Sequence, residues 1–152
     1  MEERYLFKAK GLDNEEWVAG HYVKGLDMYD KEVHLIFEPT TIFYSSGETD
    51  GWHKVDPFTI CQCTGLKDKN GKLIWENDYL KSFDGDGDDW EISKVVFGED
   101  SLGVGWHEIG IKSLSEYNCK LFDVGLSRYD ASKREIIGNI FDNKELLESE
   151  EK

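Results

Sequence analysis

Apolar and polar residues alternate with a period of two along several short stretches, the signature of strands with one face toward a core and one toward water. Arg4 to Ala9 is the first, with Tyr5 and Phe7 on one face. In Trp17 to Val23, Trp17, Ala19, His21 and Val23 share a side, and Val18 and Tyr22 lie opposite. Val33 to Phe37 is ended by Pro39, which has no N–H to give a ladder. Thr40 to Tyr44 is a short fourth, closed by Ser45-Ser46-Gly47, and Phe58 to Thr64 follows Pro57.

The sharpest local signal is Asp68-Lys69-Asn70-Gly71 between apolar runs. Asn-Gly favours positive φ at both central residues of a tight reverse turn. Leu73 to Trp75, the turn Glu76-Asn77-Asp78, and Tyr79 to Phe83 continue the pattern. An Asp-Gly-rich loop, Asp84 to Asp89, precedes a strand over Glu91 to Phe97. Leu102, Val104 and Trp106 alternate with Gly103 and Gly105, which predicts a strand approached closely by other backbone. Residues 107 to 134 carry no period that assigns them. Glu135 to Phe141 reads as a last strand. Asn143 then stands as a helix cap before Lys144 to Glu150, with Leu146 and Leu147 on one side. No fixed-period repeat is present. Many strands, short turns and one short C-terminal helix predict a mainly β fold with small barrel-like or sandwich-like sheets. The expectation is a single domain over 1–152, or two subdomains splitting near residues 57–66.

Composition narrows the class. Across 152 residues, 5 Trp, 7 Tyr and 8 Phe supply core material, and 15 Gly with only 2 Pro suit tight turns. The formal net charge of −14 excludes a simple phosphate-backbone binder, which displaces counterions with Lys and Arg. It favours basic partners instead. No stretch of 18 apolar residues predicts a membrane span. The opening Met1 to Phe7 lacks the basic-then-apolar order of a signal peptide, so a cytoplasmic protein is expected. Of the 3 cysteines, Cys61 and Cys63 share one face of an extended segment. An odd count at that spacing points to reduced thiols, not a disulfide framework.

Candidate chemistry adds little. Asp84-Gly85-Asp86-Gly87-Asp88-Asp89 invites a calcium reading, but the sixth position is Asp89 where an EF-hand loop has glycine, and the twelfth is Val95. A solvated hairpin loop is the simpler account. Cys61 and Cys63, with His21, His34, His53 and His107, could ligate zinc only through parallel thiols of poor tetrahedral geometry. Gly103-x-Gly105 is followed by Trp106 and His107, not by a helix that cradles phosphate. No motif marks a nucleophile with its base. The expectation is no catalysis, no cofactor and no metal. Trp52 and Trp90 could anchor an interface, although core packing is the commoner fate of such residues.

The run Thr59 to Lys81, TICQCTGLKDKNGKLIWENDYLK, is similar to the signature of the YopX family of phage and prophage proteins. Gln62, Thr64, Gly65, Asp68, Asn70, Gly71, Glu76 and Asp78 match it. A second block, Glu135 to Phe141 with Gly138 and Asn139, followed by Leu146 and Leu147, resembles the family's C-terminal element. Trp17-Val18-x-Gly20 resembles its opening strand pair. Cys61 and Cys63 replace the usual Gly and Phe, and Asn77 replaces a Gly, a substitution compatible with positive φ. The resemblance implies a mainly β fold of phage origin and no assigned activity. The matched residues read as turn and strand chemistry.

Three functions follow as expectations. The first is a non-catalytic interaction protein that binds a host or phage protein or self-assembles. The second is an acidic nucleic-acid mimic that inhibits a DNA-binding host protein, supported by the five acids of residues 84–91. The third is a small nucleic-acid-binding barrel using Lys67, Lys69 and Lys72, with direct nucleic-acid binding the least expected.

Overall fold

A computed structural model describes residues 3–38, 51–83, 90–100, 103–113 and 123–148. The chain divides into two compact units, Met1–Cys63 and Thr64–Lys152. It is mainly β, with two antiparallel sheets of six and five strands. Both sheets are open, ending in different edge strands, so neither forms the closed barrel that was one of the two expected arrangements.

In the first unit, β1 (Phe7–Lys10), β2 (Trp17–Leu26), β3 (Glu32–Phe37), β4 (Trp52–Lys54) and the start of β5 (Cys61–Lys67) lie in the spatial order β4-β3-β2-β1-β5. Alternation sets the inward face. Ala9 pairs with Val18, and Ala9, Val18, Ile36 and Val55 form the core, joined by Phe7 and Ile60. Ala19 and Val23 are therefore exposed, and Val18 carries the buried side of β2. Gly20 lies on that side in register with Phe7, and a Cβ there would collide with the Phe37 carbonyl. Gly20→Ala is expected to destabilise this unit by about 1–3 kcal/mol, because the β2–β3 backbones must separate. Urea unfolding followed by Trp17 fluorescence measures it.

Two strand boundaries move. Glu3–Tyr5 forms a 3-10 turn, so β1 begins at Phe7 and not at Arg4. Pro57–Thr59 forms another, because Pro57 suits a first helical position and the Asp56 side chain accepts from the Phe58 N–H at 3.0 Å. β5 accordingly starts at Cys61. The expected strand Thr40 to Tyr44 lies outside the described residues.

In the second unit, β5 continues from Thr64 beside β6 (Leu73–Trp75). The five-stranded sheet has the order β10-β9-β8-β7-β11, from β7 (Asp78–Phe83), β8 (Trp90–Asp100), β9 (Gly103–Ser113), β10 (Asp123–Gly125) and β11 (Glu135–Asn139). Ile74, Leu80, Val95, Leu126 and Ala131 make its core, with Leu66, Trp106 and Ile136 packed against them. The stretch 107–134, unassigned by periodicity, contains most of β9, all of β10 and a one-turn helix α1 (Arg128–Ala131) capped by Ser127. The expected close approach at Gly103 and Gly105 is not found among the described residues: a Cβ at either would meet none of them within 4 Å. Gly103 instead takes φ +129° where the β8–β9 hairpin turns. The C-terminal helix α2 covers Glu145–Glu148. Asn143 does not cap it forward; its Oδ1 accepts from the Asn139 N–H at 3.1 Å. Among the described residues no helix is long and apolar enough to cross a membrane.

Tyr79 on β7 is 0% exposed, and its hydroxyl meets no hydrogen-bond partner among the described residues. Burial first, and the Glu145 charge second, raise its pKa above 10. A raised folded value means that the contribution to stability holds below pH 10 and fades as the pH climbs through it. Tyr79→Phe removes an unsatisfied buried hydroxyl and is expected to stabilise the unit by about 1 kcal/mol. That difference should widen above pH 10; denaturant midpoints at neutral and alkaline pH check both halves.

Candidate functional site

The family-like residues come together mostly in the second unit, where they bond backbone. Asp68 opens the β5–β6 turn, buried, and its Oδ1 accepts from the N–H groups of Asn70 and Lys72, each at 2.9 Å. Its Oδ2 accepts from the Ile136 N–H at 3.2 Å, which links the two sequence blocks across 68 positions. Of the Asn70-Gly71 pair only Gly71 takes positive φ, +79°; Asn70 does not. The reason is turn length: Asp68 N bonds Lys72 O, leaving a three-residue loop whose last position alone is left-handed. Asn77 takes φ +69° in the next turn, and Asp78 Oδ2 accepts from the Trp75 N–H at 2.8 Å. Glu76 sits half-buried in that turn.

Thr64 Oγ1 donates to the Ile74 carbonyl at 2.8 Å and accepts from the Leu66 N–H at 3.0 Å, beside Gly65 at φ +76°. Gln62, in the first unit, donates from Nε2 to the Arg4 carbonyl at 3.3 Å. Gly138 marks a bulge in β11 at φ +156°, and a Cβ there would strike the Asn143 side chain. Asn139 Oδ1 accepts from Phe141 and Asp142 N–H at 3.0 and 2.9 Å. Every one of these side-chain contacts shapes the chain. Among the described residues, none of them lines the cavity of the first unit.

Beside them lies a buried ion pair that periodicity did not signal. Glu108 on β9 is 0% exposed. Its Oε1 accepts from Arg134 Nε at 2.7 Å and from Ser93 Oγ at 3.1 Å, and its Oε2 accepts from Arg134 Nη2 at 3.2 Å. The Arg134 side chain is 18% exposed, and its carbonyl accepts from the Lys69 N–H at 2.9 Å. The fork-to-fork geometry satisfies both charges. It also consumes them: the carboxylate has no open approach.

The first unit supplies the open chemistry. A cavity of about 290 Å³ is lined by Leu12, Val33, Val55 and Pro57, with Glu32, His34 and Lys54 as its polar groups. Three segments build it. Leu12 N bonds Lys54 O at 3.0 Å, and Val55 N bonds His34 O at 3.0 Å, so the β1–β2 turn and the stretch after β4 flank the start of β3. His34 is held at both ring nitrogens. The Tyr22 hydroxyl, 2.5 Å away, donates to Nδ1, and Nε2–H donates to Glu32 Oε1 at 2.9 Å. The carboxylate and the phenol together select this tautomer. The Tyr22 and His34 rings stack at 5.9 Å and 7°. Lys24 completes the row, 3.0 Å from Glu32 Oε2.

A hydrogen bond from Lys24 first, and from His34 second, holds the Glu32 carboxyl below its usual pKa, and Glu32 holds Lys24 above its own. By sign, the pairing is lost as the pH falls through the lowered Glu32 value or rises through the raised Lys24 value. Both groups are on the surface, so the row orients side chains more than it stabilises the fold. An imidazole with both nitrogens engaged offers the cavity wall a fixed ring and no spare hydrogen-bonding nitrogen.

Large exposed apolar side chains lie on the segments that line this cavity or adjoin its lining residues in sequence. Leu26 pairs across the β2–β3 hairpin with Glu32, and the hairpin loop presents Met28, 87% exposed, and Tyr29, 75% exposed. Phe58, next to the lining Pro57, is 88% exposed. Asp27 Oδ1 fixes the loop by accepting from Tyr29 and Lys31 N–H at 2.8 and 3.0 Å. Trp52, also exposed, packs on Phe37 with ring centroids 4.7 Å apart. Trp90 opens β8.

The remaining candidates do not assemble. Cys61 and Cys63 are buried thiols outside any disulfide, and Cys61 Sγ donates to the Thr59 carbonyl at 3.3 Å. Among the described residues no three His, Cys, Asp or Glu side chains group as a metal set. Asp84 to Asp89 lies outside the described residues. Of the lysine cluster, Lys69 is 3.3 Å from Glu135 Oε2, while Lys67 and Lys72 are exposed. Sequence reasoning missed Tyr22, Lys24, Glu32 and Lys54. Their only sequence signal is alternation: Tyr22 with Lys24 and Glu32 with His34 each fall two apart, on strands whose hairpin loop carries no Asn-Gly mark.

Two open antiparallel sheets and a turn framework of bonded Asp, Asn and Gly residues define the class: an antiparallel β protein whose sequence blocks are tied to one another through bonds from side chain to backbone. The family model described as YopX protein matches residues 6–148, and the chain belongs to the YopX family. A comparison with curated proteins finds no match.

Proposed function

We propose that this YopX-family protein is a phage-type, non-catalytic binding module that engages another protein through the face around the first unit's cavity. One observation carries the reading: Leu12, Leu26, Met28, Tyr29 and Phe58 are all large, apolar and exposed in the first unit, with Leu12 lining its cavity and Phe58 next in sequence to the lining Pro57. Exposed apolar groups gathered on one face favour association over solvation. Tyrosine and buried-upon-binding aromatics dominate the energetics of such faces, and methionine adapts its shape to a partner. The chain's net charge of −14 supports a protein partner over nucleic acid.

Affinity capture with the intact chain and with a Tyr29→Ser/Phe58→Ser variant tests it, each read by mass spectrometry and by light scattering. Both substituted side chains are solvent-facing, so the variant should unfold at the same denaturant midpoint. The expected result is a protein, or a second copy, retained by the native chain and lost by the variant. Identical retention by both, with both monomeric, overturns the reading.

A further inference from the structure

The geometry points to Tyr22 as a nucleophilic phenol that accepts an acyl group from an activated donor, with His34 as its base and Glu32 as the group that positions that base. This reactivity goes beyond the binding reading and requires no protein partner.

Strand register assembles the three side chains. Tyr22 pairs with Ile36 and Lys24 with His34, so Tyr22 and His34 are diagonal neighbours on one face of the β2–β3 hairpin, within reach of long side chains. Phe7 packs on the Tyr22 ring from β1, with centroids 5.6 Å apart. The phenol and imidazole planes lie within 7° of parallel, and Tyr22 Oη is 2.5 Å from His34 Nδ1. Nδ1 is the nitrogen without a proton, because Nε2–H is committed to Glu32 Oε1 at 2.9 Å. Lys24 takes the other carboxylate oxygen, Oε2, at 3.0 Å, so it steadies Glu32 without displacing the imidazole. A hydroxyl within hydrogen-bond reach of a base, itself held by a carboxylate, is the arrangement that activates oxygen nucleophiles toward acyl centres. Tyr22 is half-buried, which leaves part of it open to a small reagent.

In the transfer, Tyr22 Oη bonds to the donor's carbonyl carbon as its proton passes to His34 Nδ1. The bond from that carbon to the leaving group breaks, and the leaving group carries the proton away. The imidazolium formed in between lies against the Glu32 carboxylate. Nothing is oxidised or reduced.

The probe is N-acetylimidazole, whose leaving group is imidazole. The full chain is treated at neutral pH for a series of short times, and acetylation of each tyrosine is read by peptide mass spectrometry. Hydroxylamine reverses the phenyl esters and leaves lysine amides in place, which separates the two. Tyr5, Tyr29 and Tyr129 are exposed and serve as internal references. Exposure alone puts Tyr22 last of the four. Activation by His34 puts it first, by about tenfold or more. His34→Gln should return Tyr22 to a rate below that of Tyr29. Glu32→Gln, a change at an exposed side chain, should slow Tyr22 several-fold while Tyr29 keeps its rate. Ring nitrogen shifts of His34 should show Nδ1 unprotonated in the native chain and mixed tautomers in Glu32→Gln, a change that altered packing alone would not produce. Native Tyr22 acetylated no faster than Tyr29 overturns the inference, and so does a Tyr22 rate that either variant leaves at the native value. A His34→Gln chain that does not fold leaves the native order and Glu32→Gln to decide. Partner capture by the native chain, and its loss in Tyr29→Ser/Phe58→Ser, does not depend on any of these rates, so the two readings fail separately.

Discussion

Glu108→Ala is expected to destabilise the second unit by about 3–5 kcal/mol, the usual cost of removing one partner of a buried ion pair. The loss is not mainly that of an attraction. It arises because the Arg134 guanidinium, held by two hydrogen bonds to Glu108, would stay largely out of water with no counter-charge, and Ser93 Oγ would lose its acceptor. Glu108→Gln keeps the shape and one acceptor oxygen, so its cost should fall between. The decisive variant is the double substitution Glu108→Leu/Arg134→Met. It removes both charges at similar volume and should cost far less than Glu108→Ala alone. Urea unfolding of the three variants gives the comparison. A double variant as unstable as the single one would show that the pair acts through packing and not through charge.

Asp68→Ala should cost about 2–4 kcal/mol, since one buried carboxylate serves three backbone donors. Asn70 and Lys72 lose the acceptor that shapes the turn, and Ile136 loses the bond that holds β11 to it. Asp68→Asn separates the two roles. Its carbonyl oxygen can still accept from the turn amides, but its NH2 would face the Ile136 N–H, donor against donor. Amide exchange should therefore quicken at Ile136 in both variants and at Asn70 and Lys72 only in the alanine one. Unchanged exchange at Ile136 in the asparagine variant would refute the shared-carboxylate account.

These two effects mark where the sequence could be read and where it could not. Strands β2, β3 and β7 are short apolar-rich runs bounded by turn residues, so their existence and type were legible from the sequence. The turns at Asp68–Gly71 and Glu76–Asp78 were legible because Asp, Asn and Gly act on neighbouring backbone within a few residues. What failed was everything decided at a distance. Glu108 reads as a surface acid until Arg134, 26 positions later, folds over it. Beyond Trp106, two polar residues that are both buried, His107 and Glu108, break the alternation of β9 and hide the rest of that strand. Asn70-Gly71 marked a turn correctly, yet the loop has three residues and not two, because Asp68 draws the Lys72 N–H as well. Pro57 with Asp56 before it was a readable helix start, overlooked beside the apolar run that follows. The cavity was invisible for a plainer reason: its lining comes from three separate segments, and no spacing rule connects them.

The bonded flank of β11 has a consequence for how copies of this protein can meet. As the end strand of its sheet, β11 would ordinarily offer free amides to any extended chain passing by. Here Asp68 takes the Ile136 N–H and Asn143 takes the Asn139 N–H, so a stranger finds those donors already spoken for. Ribbon-like growth from that border is thereby discouraged without a single proline. It follows that the Asp68 carboxylate, which belongs to the family signature, also acts as a fence against fibril formation, and substituting Asp68 should make concentrated samples more prone to thioflavin-positive deposits as well as less stable.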